Sequence, residues 1–221
     1  MPLDRRVVAN TQDNRIEIVE SGDHEPCFFK PPVDFQYNYG GLLKDSIVFC
    51  NYSDHCMVIG EKSYQTLAPS TPLTRVPVRT FAATTKANDS LWLVGGRDLN
   101  STIFVTKNKI LKGPELPLTI SQHCIVQINA TSFWMMAGEQ DGFPSKNTWH
   151  LNFEKGFQMT KGPVLIWKRL APVCGRIIDE NGIPIVALVN GYNENNNKMQ
   201  NMEILKLTNG KILWERGRSK R

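Results

Sequence analysis

The chain has no apolar run near the roughly 18 residues that a membrane-spanning helix needs. Its opening, Met1-Pro2-Leu3-Asp4-Arg5-Arg6, lacks the continuous apolar stretch of a secretory signal. As written it reads as a soluble chain without a membrane partner, cytoplasmic unless an upstream signal is missing, in which case extracellular. Histidine is scarce: His24, His55, His123 and His150 are scattered. The neighbours His55 and Cys56, like His123 and Cys124, point to opposite faces if they lie on a strand, so neither pair grips one metal. There is no Gly-x-Ser-x-Gly elbow, no phosphate loop and no His-Glu-x-x-His helix. The expectation is therefore no enzyme, with no catalytic residue, cofactor or metal. Nothing sustains the 3.6-residue apolar period of an amphipathic helix.

Charge of one sign is also short outside the C-terminus. The net charge of +5 comes from 26 basic and 21 acidic residues, and Arg216-Gly217-Arg218-Ser219-Lys220-Arg221 carries most of the excess. The body offers no broad basic field for nucleic acid, and residues 217–221 read as a solvated basic tail. The five cysteines include no Cys-x-x-Cys pair, and an odd count leaves at least one unpaired. Four Asn-x-Ser/Thr triplets begin at Asn51, Asn88, Asn100 and Asn129. They leave the compartment open.

What the sequence does have is repetition. Ile47–Asn51, Leu91–Gly96, Phe133–Gly138 and Val186–Gly191 each read as an apolar strand ending in a small polar or glycine step, at intervals of 45, 42 and 53 residues. Such a period in β units signals a propeller or a similar repeat array. The last repeat is the fullest: Gly175–Asp179 and Ile183–Val189 flank Glu180-Asn181-Gly182, and Met202–Leu207 and Lys211–Glu215 flank Thr208-Asn209-Gly210. Asn-Gly between apolar runs is a strong hairpin signal, since a type I′ turn needs positive φ at both central residues. Two hairpins in succession make a four-stranded blade. The third repeat places strands at Cys124–Ile128, Phe133–Met136, Thr148–Phe153 and Phe157–Thr160. The second places them at Phe81–Thr85, Leu91–Val94, Ile103–Thr106 and Ile110–Lys112. The first uses Phe35–Tyr39, Ser46–Phe49, Met57–Ile59 and Ser63–Leu67. Pro69, Pro72, Pro114, Pro117 and Pro163 mark the joins, where the chain leaves one sheet for the next.

Together the step, the outer hairpin and the proline join resemble the kelch-repeat β-propeller family. The likeness is carried by Val94-Gly95-Gly96-Arg97, by Met136-Ala137-Gly138-Glu139 with Asn147-Thr148-Trp149, and by Val189-Asn190-Gly191-Tyr192 with Asn201-Met202-Glu203-Ile204 and Trp214. It implies that Gly95, Gly96, Gly138 and Gly191 end second strands and that Trp149 and Trp214 pack between blades. Ala137 and Asn190 replace the first glycine of the pair, and Cys50-Asn51 replaces both. The implied fold is an all-β propeller of about four four-stranded blades, at 27–70, 71–113, 114–162 and 163–216. An N-terminal half blade at 1–26 precedes them, in which Arg15–Glu20 looks like a third strand. If the ring is open, its bare edges favour self-association. Resemblance to extracellular members with recurrent cysteines implies a Cys50–Cys56 bridge in an oxidising compartment, small buried thiols being the other reading. Cys124 and Cys174 stand at equivalent places in successive repeats, which reads as core packing rather than a bond.

The resemblance implies a non-catalytic module whose loops bind an as yet unidentified protein. Trp167-Lys168-Arg169, an aromatic with two cations in a join, would suit an acidic peptide, with Arg75, Arg79 and Arg97 as companions. The alternatives are a propeller enzyme of the copper-oxidase or glycosidase type, drawing on loop carboxylates such as Asp98, Glu139 and Asp141, and a truncated or degenerate gene product.

Overall fold

The computed structural model describes residues 5–10, 15–20, 27–29, 39–43, 46–50, 55–60, 64–68, 83–87, 89–178, 184–208 and 211–217. Among them every regular element is a strand, and the sheets are antiparallel. Strands β1 (Arg5–Asn10), β2 (Arg15–Glu20) and β3 (Cys27–Phe29) form a three-stranded sheet in chain order. Two four-stranded sheets follow: β4 (Tyr39–Leu43), β5 (Ser46–Cys50), β6 (Cys56–Ile59) and β7 (Tyr64–Leu67), then β8 (Ala83–Ala87), β9 (Ser90–Val94), β10 (Thr102–Val105) and β11 (Ile110–Lys112). The next stretch interleaves two sheets. Strands β12 (Ile120–Ser121), β15 (Glu139–Gln140) and β16 (Phe143–Pro144) make a small one. Strands β13 (Cys124–Gln127), β14 (Ser132–Met136), β17 (Thr148–Asn152) and β18 (Gln158–Lys161) make the third sheet of four. The fourth holds β19 (Val173–Ile178), β20 (Pro184–Val189), β21 (Met202–Thr208) and β22 (Lys211–Arg216).

The apolar second strands are explained by burial on both faces. In β9, Leu91 and Leu93 enter a core shared with Val48, Cys50, Val58 and Leu43 of the preceding sheet. Trp92 and Val94 point the other way, into a core with Phe133, Met135 and Leu151. In β14 the next alternation sends Trp134 and Met136 to a third core with Val186, Leu188, Leu205 and Trp214. Period-2 side-chain geometry thus makes a strand between two sheets apolar at every position. The middle core is aromatic: Trp92 lies 5.1 Å from both Phe133 and Phe153 and 5.6 Å from Phe104 between ring centroids. Such pairs contribute about 0.5–1.5 kcal/mol each beyond area burial. The first strands of the four large sheets stand side by side in the order β4, β8, β13, β19.

Several expectations need correction. The first strand of the first large sheet runs on to Leu43, paired from Tyr39↔Cys50 to Leu43↔Ser46, and of the expected Phe35–Tyr39 only Tyr39 lies among the described residues. A boundary after residue 26 divides the N-terminal sheet, because Cys27 pairs with Ile18. Gly217 is no part of a solvated tail. Its N–H donates to the Met202 carbonyl at 2.8 Å, as Gly113 does to Thr102 (2.8 Å) and Gly162 to Thr148 (2.9 Å), so it is the third copy of one repeat position. Cys124 and Cys174 form a disulfide, with Cα atoms 6.0 Å apart. Equivalent positions on adjacent first strands lie opposite each other, and equivalence in the repeat brings these thiols together. Cys50 and Cys56 are also bonded, facing each other across β5 and β6.

Candidate interaction face

In an antiparallel meander the second-to-third loop and the join to the next sheet emerge on the same edge. That edge here carries the loops at 95–101, 137–147 and 190–201 and the joins at 113–123 and 162–172. The loops leave their strands through one backbone device. Gly95, Ala137 and Asn190 share φ of 62°, 60° and 59°, and each donates its N–H to the carbonyl just before the third strand: Ser101 (3.2 Å), Asn147 (3.1 Å) and Asn201 (3.3 Å). The following glycine docks the next join, Gly96 N–H to Ile120 O at 2.8 Å and Gly138 N–H to Arg169 O at 2.9 Å. Gly138 has φ of 81°, and a Cβ there would meet the Ser121 carbonyl oxygen at 2.4 Å and His123 Cα at 2.7 Å. Glycine is required by conformation and by space. Gly191 stands at the same step with φ of 94°.

On this frame β15 and β16 project as a miniature hairpin. Asp141 and Gly142 have φ of 48° and 84°, the signature of a type I′ turn, and Gln140 pairs with Phe143. The hairpin is locked from the side. The Asp141 carboxylate accepts from the Thr119 N–H and hydroxyl, both at 3.1 Å, while Asp141 N–H donates to Thr119 O at 3.2 Å. Gln140 and Glu139 pair with Ile120 and Ser121, and Asn147 donates to the Gln140 side-chain oxygen at 3.0 Å. The product is Phe143, 75% exposed on a braced support. Beneath the loop lies His123, buried, with no hydrogen-bond partner for either ring nitrogen among the described residues. Burial lowers its pKa from 6.5 to about 3, so it is neutral.

The loop of the fourth sheet is also self-bracing. Tyr192 exchanges backbone hydrogen bonds with Leu170 at 2.8 and 2.9 Å, and the Asn193 side chain accepts from the N–H groups of Asn195 (3.0 Å) and Asn197 (2.9 Å). A shallow cleft of about 440 Å³ opens between Ala171, Tyr192 and Met199.

Of the cations and aromatic expected to meet a partner, Arg97 is exposed beside Asp98 (4.0 Å). Lys168 is exposed and pairs with Glu194 at 3.1 Å. Trp167 is half-buried, with the Arg216 guanidinium 4.9 Å from its ring centroid. Arg169 is a correction: its side chain has no exposure. It donates to Glu203 at 2.5 Å, to Asn190 O at 2.9 Å, and to Asn201 O and Oδ1 at 3.3 and 3.2 Å. The other Glu203 oxygen accepts from Ile166 N–H at 2.6 Å. Arg169 therefore ties the join to the fourth sheet and is not presented on the surface. Arg75 and Arg79 lie outside the described residues. Trp149 packs against the second-to-third core and Trp214 sits in the third-to-fourth.

Phe143, Tyr192 and the Arg169–Glu203 pair escaped sequence reasoning. Asp141-Gly142 was the available signal for the first, being a type I′ dipeptide. Among the described residues no three His, Cys, Asp or Glu side chains are placed to share a metal. Asp141, a candidate acid, is spent on bracing Thr119.

No family model and no curated protein matches the chain. A solved structure titled "Structure of YjhT" is similar at 11% identity with a TM-score of 0.65, over 93% of this chain and 78% of that one. At that identity the likeness is one of fold.

Proposed function

We propose that the chain forms blades of a kelch-type propeller and serves as a non-catalytic interaction module, binding a protein through the loop edge. The observation that carries this is Phe143, three-quarters exposed on a hairpin braced by Thr119, Ile120 and Ser121. A large apolar ring held rigid in water loses little conformational entropy on binding, and its burial is worth about 1.5–3 kcal/mol. Arg97 and Lys168 on the same edge give the aromatic a polar surround of the kind that rims protein interfaces. The propeller reading is supported by first strands standing side by side and by the thrice-repeated strand-end step.

The test compares proteins from the source organism's extract retained by the immobilised wild-type chain, by Phe143→Ser, and by Ile212→Ser, whose side chain is exposed near the opposite edge. A protein held by wild type and Ile212→Ser but released by Phe143→Ser supports the reading. Equal retention by all three, or turnover in a sugar oxidation or hydrolysis screen, overturns it.

A further inference from the structure

We propose that Asn129 is an N-linked glycosylation site and that the protein matures in an oxidising, glycosylating compartment. Two features meet here. Among the described residues are two disulfides, one joining the first strands of successive sheets through Cys124 and Cys174 and one crossing β5 and β6 through Cys50 and Cys56. Disulfides persist where thiols are not kept reduced, and such compartments include those in which Asn-x-Ser/Thr is glycosylated.

Of the four triplets, Asn51 and Asn88 lie outside the described residues. At Asn100 the side-chain amide nitrogen donates to Leu116 O at 3.2 Å, and the Thr102 hydroxyl is buried, donating to Pro114 O at 2.8 Å. That triplet is occupied in holding a join. Asn129 differs at each of these points. It is exposed in the turn between β13 and β14, on the edge opposite the candidate interaction face. Its side-chain oxygen accepts from Thr131 N–H at 3.0 Å, Ser132 N–H at 2.9 Å and the Thr131 hydroxyl at 3.4 Å. These bonds fix the carboxamide by its oxygen, and no described hydrogen bond uses the nitrogen, which is the atom that must react.

In the transfer, the Asn129 amide nitrogen forms a bond to the anomeric carbon of a lipid-diphosphate-linked oligosaccharide. The bond from that carbon to the diphosphate oxygen breaks, the nitrogen gives up one proton, and the lipid diphosphate departs. No oxidation accompanies the step. A glycan rooted there would stand beside an apolar cleft of about 180 Å³ lined by Ile128, Trp134, Ile185 and Ile212, the last 52% exposed. It would shield apolar surface on the edge that the interaction face does not use.

The decisive measurement is on the native protein, isolated without reductant and treated with an amide-cleaving glycosidase in ¹⁸O-water. Asn129 is expected to be recovered as ¹⁸O-labelled aspartate, and the Cys124 and Cys174 peptides as one linked pair. In protein secreted from eukaryotic cells, Thr131→Ser keeps the glycan at this site, whereas Asn129→Gln and Thr131→Ala each lose a mobility step of one glycan. Recovery of native Asn129 as unmodified asparagine overturns the proposal, whatever the secreted variants show.

Discussion

Replacing Glu203 by Gln probes the most demanding electrostatic contact among the described residues. Glu203 and Arg169 both have side chains without exposure, and the carboxylate divides its oxygens between the guanidinium and Ile166 N–H. Gln preserves the shape but brings an NH₂ that must face one of two donors, and it leaves the guanidinium without an anion. Removing one member of a buried pair costs about 3–5 kcal/mol. In a chain of this size each kcal/mol moves Tm by about 2–4 °C, so a drop of roughly 6–20 °C is expected. Arg169→Met should cost a similar amount by stranding Glu203. The double variant Arg169→Met/Glu203→Leu removes both charges and should cost much less than the two single changes together, since hydrophobic replacement of a buried pair is often near neutral. Thermal and urea unfolding followed by circular dichroism measure all three. Single variants costing under about 1 kcal/mol, or a strictly additive double variant, would refute the assignment of Arg169 as a buried tie.

Two further outcomes follow from His123 and from the disulfides. His123 is neutral in the fold, with its pKa depressed to about 3 against an ordinary 6.5. Its contribution is complete above pH 6.5 and declines as pH falls toward 3, by about 1.4 kcal/mol per unit, because the unfolded chain takes up the proton first. His123→Leu should flatten the loss of stability between pH 6 and 4 relative to wild type, and parallel acid curves in urea titrations would sink this account. The disulfides differ in loop length, with separations of 50 residues for Cys124–Cys174 and 6 for Cys50–Cys56. Loop-closure entropy gives about 4 and about 2 kcal/mol, so Cys174→Ser should lower the urea midpoint more than Cys56→Ser. The reverse order would contradict the chain-entropy argument.

The strand plan was legible because second strands such as β9 and β14 are buried on both faces, which writes apolar runs such as Leu91–Val94 and Phe133–Met136 into the sequence. The strand-end step was legible through its glycines, and Ala137 and Asn190 could stand in the left-handed region because a methyl is small and Asn tolerates it. Less of the candidate site could be read. Arg169 beside Trp167 looks like a surface cation, and its burial depends on Glu203, 34 residues onward and on another strand. The hairpin that displays Phe143 has strands of two residues, too short for alternation to register. Gly217 lies among basic residues, which hid its equivalence to Gly113 and Gly162.

The Phe143 hairpin stands outside the repeat because of how the repeat is held. The step at Gly95, Ala137 and Asn190 is fastened by backbone N–H and carbonyl groups, as is the docking of Gly113, Gly162 and Gly217 onto their third strands. Backbone fastening constrains few side chains, so the loop between the step and the third strand is free to differ in each repeat. It runs from Gly96 to Ser101 in one sheet, carries a braced hairpin in the next, and in the last becomes an asparagine-rich turn around Asn193. The frame therefore repeats in sequence while the loops do not, and the surface best suited to meet a partner is the part a repeat pattern encodes least. An aromatic such as Phe143 at the crest of one unrepeated loop is what this division produces, because it can be placed there without altering a strand, a step or a join.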